Sequence, residues 1–307
     1  MSEHDVYLFG MVLMTTSLLL KGDYPEADSY GEFTEKYFLP GGETGTCATV
    51  LASLGTSVKM DGNHLGQTTY TPIREFYGAR GVDISSMTYD PAYPGLQDYV
   101  LIGGNTRTCI GEFQQFYADP PNGRWNQPKR EDISCCRVAS VDPWFFDASV
   151  NAIQTCRALG KRYTTIDCGY DTQIHQYSEV NVISNEFIQN TYRGMDIEEL
   201  FKLYTDHTNG LVIFTFGSKD ALYGRKGQPI KTFRPFRVNA VSTLGAGDTF
   251  KAGVTYGIAK EMSDDDLVRF ACATAATAVS SFPIPLNPPT LNKINTLIET
   301  GKLPSEA

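Results

Sequence analysis

Residues 245–248, Gly-Ala-Gly-Asp, have the types and the spacing best suited to chemistry in this sequence. A β-rich segment, 231–241, precedes them and a helix pattern, 249–260, follows. Small residues before a helix let the chain turn sharply and direct successive amide N–H groups to one point, where the helix N-terminus adds partial positive charge. The pattern predicts a phosphate-binding turn with the carboxylate of Asp248 beside it. An ordinary tight turn capped by Asp248 would have the same residues.

The elements that must position this turn can be predicted from hydrophobic periodicity. Residues 6–14 form a near-continuous apolar run, which is typical of a strand buried on both faces. Residues 18–39 and 99–116 are aromatic and charged, which favours short exposed strands, with a hairpin turn at Gly103-Gly104-Asn105. Further strands are expected at 57–60, 82–88, 138–141, 163–167, 180–184 and 211–216, and helices at 44–54, 68–79, 147–159, 197–208, 267–280 and 291–300. This alternation predicts an α/β fold with a mostly parallel sheet.

The composition excludes several classes of function. The chain has 307 residues, 41% of them hydrophobic, enough for one large α/β domain or two small ones. A net charge of −9 argues against nucleic acid as a partner. Seven cysteines without a Cys-x-x-Cys pair indicate neither a disulfide framework nor a zinc site. The apolar stretch 6–20 is too short to cross a bilayer and lacks the flanks of a signal peptide, so we expect no membrane partner and a cytoplasmic location.

The segment Ser-Thr-Leu-Gly-Ala-Gly-Asp at 242–248 resembles the Asp-Thr-x-Gly-Ala-Gly-Asp signature of the ribokinase-like (PfkB) carbohydrate kinases. Five of its six defined positions match, and the resemblance extends in order over residues 6–298. It implies a single domain, 1–307, with a three-layer α/β/α fold, a mostly parallel central sheet and a small β lid from about 16–39 and 97–117. It also implies roles for the signature residues: Asp248 as the catalytic base, and the amides of Gly245, Ala246 and Gly247 as an anion hole.

The same resemblance suggests where the substrate binds. Residues 41–48, Gly-Gly-Glu-Thr-Gly-Thr-Cys-Ala, resemble the family's Gly-Gly substrate motif, and a glycine pair at a helix start lets the backbone approach a polyhydroxylated ligand. A flexible capping loop is the alternative. The candidate substrate-binding residues are Gly41, Gly42, Thr46, Thr15, Asp142 and Asp167. Asp142 and Asp167 follow predicted strands and could instead turn the chain. His64, in a loose match to another family region, could contact substrate or be an ordinary surface or core histidine.

Two further motifs suggest the nucleotide site. Asn185 begins a match to the family's Asn-x-x-Glu motif, which implies that it places Mg²⁺ through a water, although it could equally be a helix N-cap. Glu186 could replace the closing Glu, but would point elsewhere if Asn185 starts a helix. Residues 215–219 resemble the Thr-x-Gly-x-x-Gly nucleotide loop, in which Lys219 meets a phosphate or is simply solvated. The candidate cofactor-binding residues are Asn185, Thr215, Gly217, Lys219 and Thr243, and the implied cofactors are ATP and Mg²⁺.

The predicted function is ATP-dependent phosphorylation of a hydroxyl on a sugar or sugar derivative. No Walker A motif is present, which argues against a P-loop kinase. Two alternatives stay open: a nucleoside kinase of the same fold, and a catalytically weakened ligand-binding or regulatory homologue. The second is motivated by departures from the family motifs at Thr15, Thr46, Ile188, Asp220 and Ser242.

Two of these departures bear on the ligands. Residues 10–16 lack the carboxylate that the family usually carries there, so the substrate could differ from a plain sugar such as ribose or fructose. Ser242 replaces an Asp that helps to ligate a monovalent cation, so the resemblance gives no support for that activation. The expected partners are a small-molecule substrate and a second copy of the chain, paired through the lid strands, which would also protect their edges.

Overall fold

Residues 4–104 and 106–304, which the computed structural model describes, form two β-sheets of unequal size. The strands, in chain order, are β1 (His4–Gly10), β2 (Leu13–Leu20), β3 (Phe33–Gly41), β4 (Val58–Gly62), β5 (Gln97–Gly103), β6 (Thr106–Gly111), β7 (Cys136–Val141), β8 (Arg162–Ile166), β9 (Val180–Ser184), β10 (Leu211–Phe216), β11 (Lys219–Gly224) and β12 (Lys231–Phe233). The large sheet has the order β12-β11-β10-β9-β8-β7-β1-β4. Its strands are parallel from β4 to β10, and β11 and β12 are antiparallel.

Helices connect the strands. They are α1 (Glu43–Ser53), α2 (Tyr70–Gly78), α3 (Phe113–Phe116), α4 (Arg130–Ser134), α5 (Phe146–Ala158), α6 (Gln173–Gln176), α7 (Asn185–Thr191), α8 (Ile197–Asp206), α9 (Ala246–Ala259), α10 (Asp264–Val279) and α11 (Leu291–Thr300). Ser263 caps α10 by accepting from the Asp266 amide, the interaction expected of a capping box. No helix within the described ranges combines the length and apolar character that crossing a bilayer requires.

Both faces of the large sheet are covered, which explains the apolar character of its strands. Val6 and Leu8 of β1 pack into a core shared with α1, α9 and α10, while Tyr7 and Phe9 between them pack against α5. Successive side chains of a strand point to opposite faces, so a strand covered on both sides must be apolar throughout. The predicted three-layer α/β/α fold with a second, small sheet is therefore confirmed.

The predicted single strand at 6–14 is wrong, because the chain leaves the large sheet at Met11 and Val12 and enters the small one. Asn63, which is fully buried, bridges this break: its Oδ1 accepts from the Val12 amide at 2.7 Å, and its Nδ2 donates to the Val12 carbonyl at 2.9 Å. One side chain thus satisfies both backbone groups where pairing changes sheets. An unbroken run of apolar letters cannot show such a transfer, since both strands are buried there.

Other boundaries also differ from the prediction. Only 231–233 of the β-rich segment 231–241 pair as a strand, and 82–88 contain a single isolated bridge, from Asp83 to Lys59, instead of a strand. Helix α9 begins at Ala246, three residues before the predicted start, so the Gly-Ala-Gly-Asp run belongs largely to its first turn. The end of the predicted strand region 99–116 is the short helix α3. In the predicted hairpin turn, Asn105 lies outside the described residues, but β5 and β6 on either side pair antiparallel.

The small sheet has the order β3-β2-β5-β6 and two chemically different faces. On one face Leu39, Thr15 and Asp98 are aligned across β3, β2 and β5 and turn toward a cavity. On the other, a row across all four strands contains Phe38, Thr16, Tyr99 and Ile110. Phe38, Tyr99 and Ile110 are each about half exposed, so the outer face presents apolar surface to solvent.

Candidate active site

A cavity of about 600 Å³ lies between the inner face of the small sheet and the N-termini of α1 and α9. It brings together six predicted site residues from three separate parts of the chain: Thr15, Gly41, Gly42, Thr46, Gly245 and Asp248. Thr46 and Gly245 nearly touch, because a Cβ on Gly245 would lie 3.3 Å from Thr46 Cγ2. The glycine pair before α1 and the glycine turn before α9 therefore border one site.

The turn before α9 needs glycine and leaves amides open. Gly245 has φ of +74°, a left-handed conformation that side chains other than glycine rarely adopt. The Ala246 amide already donates to the Thr243 carbonyl at 3.2 Å. The amides of Gly247 and Asp248, at the start of a 14-residue helix, have no hydrogen-bond partner among the described residues. The Gly245 amide also has no partner among the described residues, so two of the three amides of the predicted anion hole, those of Gly245 and Gly247, are open, while that of Ala246 is occupied.

Asp248 is half-buried and faces the cavity. Burial raises the pKa of its carboxyl above the ordinary value, and the negative charge of Asp142 raises it further, whereas Lys251 and Arg107 oppose the shift. A raised pKa makes the ionised carboxylate a better proton acceptor than an exposed aspartate. The side chain therefore has both the access and the basicity that a general base requires.

Asp142 is engaged in a buried ion pair and does not line the cavity. It is 1% exposed and pairs with the ammonium group of Lys251, which is 0% exposed. It also accepts from Thr44 Oγ1 at 2.6 Å and from the Met11 amide at 3.3 Å. Burial lowers the pKa of Lys251, but Asp142 and the nearby Cys47 outweigh it, so the pKa is raised overall. Asp142 thus connects α9 to the strand break at Met11.

Asp167 fixes a turn rather than reaching the cavity. It has φ of +46°, and its carboxylate accepts from the Ser184 amide at 2.6 Å and from Ser184 Oγ at 2.9 Å. Burial raises the pKa of Asp167 to about 6, although the Ser184 hydrogen bonds oppose the shift. Two hydrogen bonds to one residue stabilise a backbone conformation that aspartate adopts only with help.

The start of α7 corrects two interpretations. Ser184 is the N-cap, accepting from the Phe187 amide, so Asn185 is not a cap but the exposed first residue of the helix. Asn185 does begin the helix, but Glu186 is not directed away from the site as expected in that case. It lines the cavity, and its carboxylate lies 3.7 Å from the guanidinium of Arg107. Ile188, at the position of the family's Glu, is buried in the core.

The remaining candidates lie outside the cavity lining. Thr215 is at the end of β10, beside Ser184 of β9, and Gly217 has φ of +64° in the exposed turn that follows. Lys219 does not sit in a loop but begins β11, with its side chain exposed. Thr243 is exposed just before the glycine turn, and Asp220 pairs with Arg234 at 3.2 Å. His64 is also outside the lining, and burial lowers its pKa.

Sequence reasoning missed several polar residues of the cavity. Glu43, Asp98, Tyr117 and Trp144 line it, and each has a buried polar atom without a hydrogen-bond partner among the described residues. Burial raises the pKa of Asp98 to about 6, against the effect of Thr15, and burial also raises the pKa of Glu43 well above its ordinary value. The available signals were Asp98 in β5, which is apolar or aromatic after it, and Lys251, the single lysine of the largely apolar α9.

The sequence model described as pfkB family carbohydrate kinase matches residues 4–283. Ketohexokinase of Mus musculus is 23% identical over 297 residues, which cover 90% of this chain and 96% of that protein. Ribokinase of Haemophilus influenzae is 37% identical over 76 residues, a segment that spans 24% of either chain. The structure of Arabidopsis thaliana ribokinase complexed with ribose and ATP superposes with a TM-score of 0.78 at 15% identity, covering 97% of this chain and 99% of that one. The structural similarity shows a shared fold.

Proposed function

The chain belongs to the pfkB family of carbohydrate kinases, which are phosphotransferases, and from this we propose that it transfers the γ-phosphoryl group of ATP to a hydroxyl of a sugar or sugar derivative. The observation that carries the proposal is the convergence of Asp248 and the turn at Gly245 on the cavity bordered by Gly41 and Gly42. A carboxylate that can act as a base, a turn with open amides and a glycine pair that a ligand can approach closely all line this cavity.

Phosphoryl transfer requires mainly positioning and charge stabilisation. The open amides of Gly247 and Asp248, with the N-terminus of α9, stabilise negative charge on the transferred group. The acceptor hydroxyl lies against Asp248, which takes its proton as the new O–P bond forms. The bond between the γ-phosphorus and the bridging oxygen breaks, and ADP leaves. The small sheet covers the cavity and limits the access of water as a competing acceptor.

The exposed first turn of α7 fits a magnesium ion held mainly through water. Asn185 and Glu186 present oxygens there, next to Asp167, and no group of three or more His, Cys, Asp or Glu within the described ranges is arranged to hold a metal directly. Asn185 and Glu186 would hold the ion's waters. When bound, Mg²⁺ neutralises charge on the nucleotide phosphates.

We also propose that the outer face of the small sheet pairs with a second copy of the chain. Phe38, Tyr99 and Ile110 are exposed apolar side chains on three of the four strands, β3, β5 and β6, and the outer edges of the small sheet are unpaired among the described residues. Pairing would bury these side chains and protect the edges of β3 and β6.

The central experiment replaces the base and keeps the fold. Asp248→Asn should lower kcat by roughly 10²–10⁴-fold and leave MgATP binding unchanged, because the amide cannot take a proton. ADP release is followed across a panel of sugars and nucleosides, and calorimetry reports nucleotide binding. Glu261→Gln, an exposed acid just after α9, serves as the matched control. Unchanged turnover in Asp248→Asn would exclude it as the base.

The aromatic side chains of Phe113, Tyr117 and Trp144 in the cavity keep the nucleoside-kinase alternative in view, since they offer flat surfaces for a base as well as for a sugar ring. The same panel separates the two. A protein that binds no MgATP at millimolar nucleotide would instead be the weakened, regulatory homologue.

A further inference from the structure

Four residues that line the cavity each carry a buried polar atom without a partner among the described residues. These atoms are Asp98 Oδ1, Glu43 Oε2, Tyr117 OH and Trp144 Nε1. Buried polar atoms are nearly always satisfied in folded proteins, so unsatisfied ones call for an explanation. Their convergence from four separate parts of the chain on one cavity indicates that a ligand supplies the missing partners.

Asp98 is the best defined of the four. It is 8% exposed, lies on β5 and stands opposite Thr15 of β2 in the small sheet. Residues 10–16 contain no carboxylate, yet the structure supplies one beside Thr15 from the neighbouring strand. The acceptor side of the cavity thus has a carboxyl group, which comes from β5 and not from residues 10–16.

The charges around the cavity disfavour an anionic acceptor. Four carboxyl groups line it, those of Glu43, Asp98, Glu186 and Asp248, against the single guanidinium of Arg107. Arg107 lies 3.7 Å from Glu186, and Lys251 nearby is fully buried against Asp142. A carboxylate or phosphate on the acceptor would therefore meet like charges at short range in a poorly solvated site.

The unpaired atoms also specify what the acceptor must offer. Carboxylate oxygens accept hydrogen bonds, the Trp144 ring nitrogen can only donate, and the Tyr117 hydroxyl can do either. Resting on the proposed function, we propose that Asp98 and Glu43 select a non-anionic polyhydroxylated acceptor, whose hydroxyl or ammonium donors they bind, over sugar acids and sugar phosphates. Tyr117 and Trp144 donate to the acceptor's oxygens.

The test compares matched acceptors and separates binding from turnover. Neutral sugars are assayed beside their amino, acid and phosphorylated forms, with D-glucose, D-glucosamine, D-glucuronate and glucose 6-phosphate as one set and the corresponding fructose and ribose derivatives as others. Binding to the full-length protein is measured by calorimetry without nucleotide, and kcat/KM by ADP release. A neutral or amino sugar should have an affinity and a kcat/KM at least about 10-fold higher than those of its anionic counterparts. Comparison of the neutral sugar with the amino sugar shows whether the site binds a hydroxyl or an ammonium group.

Variants then assign the selectivity to a residue. Asp98→Asn should weaken binding of the preferred acceptor by about 10-fold and reduce the preference over anionic forms, because it removes a charge and two acceptor sites. Glu112→Gln, an exposed acid of the same segment outside the cavity lining, should change neither. Preferred binding of an acid or phosphate, no binding of any neutral or amino sugar, or unchanged selectivity in Asp98→Asn would overturn the inference. Absence of phosphoryl transfer with intact, selective binding would refute the proposed function alone.

Discussion

Replacing Asp98 with Asn should stabilise the ligand-free protein at neutral pH even as it weakens acceptor binding. Burial raises the pKa of Asp98 from its ordinary 3.8 to about 6, so the fold favours the protonated carboxyl. A shift of about two pKa units corresponds to about 3 kcal/mol. The stability that Asp98 contributes is fully present below pH 3.8 and is lost as pH rises through 6. Asparagine is neutral at every pH in this range, so the variant does not lose this stability as the pH rises.

The assay is urea unfolding of both proteins between pH 3.5 and pH 8. The variant should be more stable at pH 7 by up to about 3 kcal/mol, and the difference should shrink steadily from pH 6 to pH 4. Asp61 and Asp167, whose pKa values burial also raises to about 6, are present in both proteins and cancel in the comparison. A difference that does not depend on pH, or a variant less stable at pH 7, would refute the assignment of Asp98 as a buried carboxyl with one unpaired oxygen.

Three further predictions concern the surroundings of the site. Lys251→Met leaves Asp142 buried without its counter-ion and should lower the free energy of unfolding, measured by urea titration, by about 3–5 kcal/mol. Adding Asp142→Asn should restore part of the lost stability. Equal losses in the single and the double variant would count against the ion pair. Gly245→Ala forces a side chain into φ of +74° and should lower both the stability, by about 1–3 kcal/mol, and the turnover. Stability is measured by thermal unfolding and turnover by ADP release. A variant with full activity would show that the left-handed conformation at residue 245 is not required. Tyr99→Lys should shift a dimer to monomer in sedimentation velocity, and a wild-type protein that is monomeric at all concentrations would remove the pairing proposal.

The sequence predicted the α/β fold and most helices because their signals are local. Helix α11 is recovered at its predicted bounds, 291–300, since its periodicity, its flanking prolines and the glycine after it all agree. The break at Met11 was missed because it depends on Asn63, which comes from another part of the chain and pairs with both backbone groups of Val12. A residue more than 50 positions away leaves no mark in a local hydrophobic pattern.

The site divides in the same way. The turn before α9 and the glycine pair at Gly41 could be placed because the roles proposed for them need particular residues in sequence order. The acceptor side could not, since Asp98 and Trp144 line one cavity only once the small sheet has packed over the large one. Asp142 could be placed at a strand end, but its partner Lys251 follows more than 100 residues later, and only the fold shows that the two neutralise each other.

The proposed base and the proposed acceptor-selecting residue belong to different parts of the fold, which has a consequence for engineering. Asp248, the proposed base, and the glycine turn before it belong to a helix packed on the large sheet, whereas Asp98, which we assign to acceptor choice, belongs to a strand of the small one. Libraries confined to the inward positions of β2 and β5 should therefore retune which alcohol is accepted while the transfer apparatus stays as it is. The same separation would let a recipient enzyme of this fold gain a new preference by exchange of four short strands.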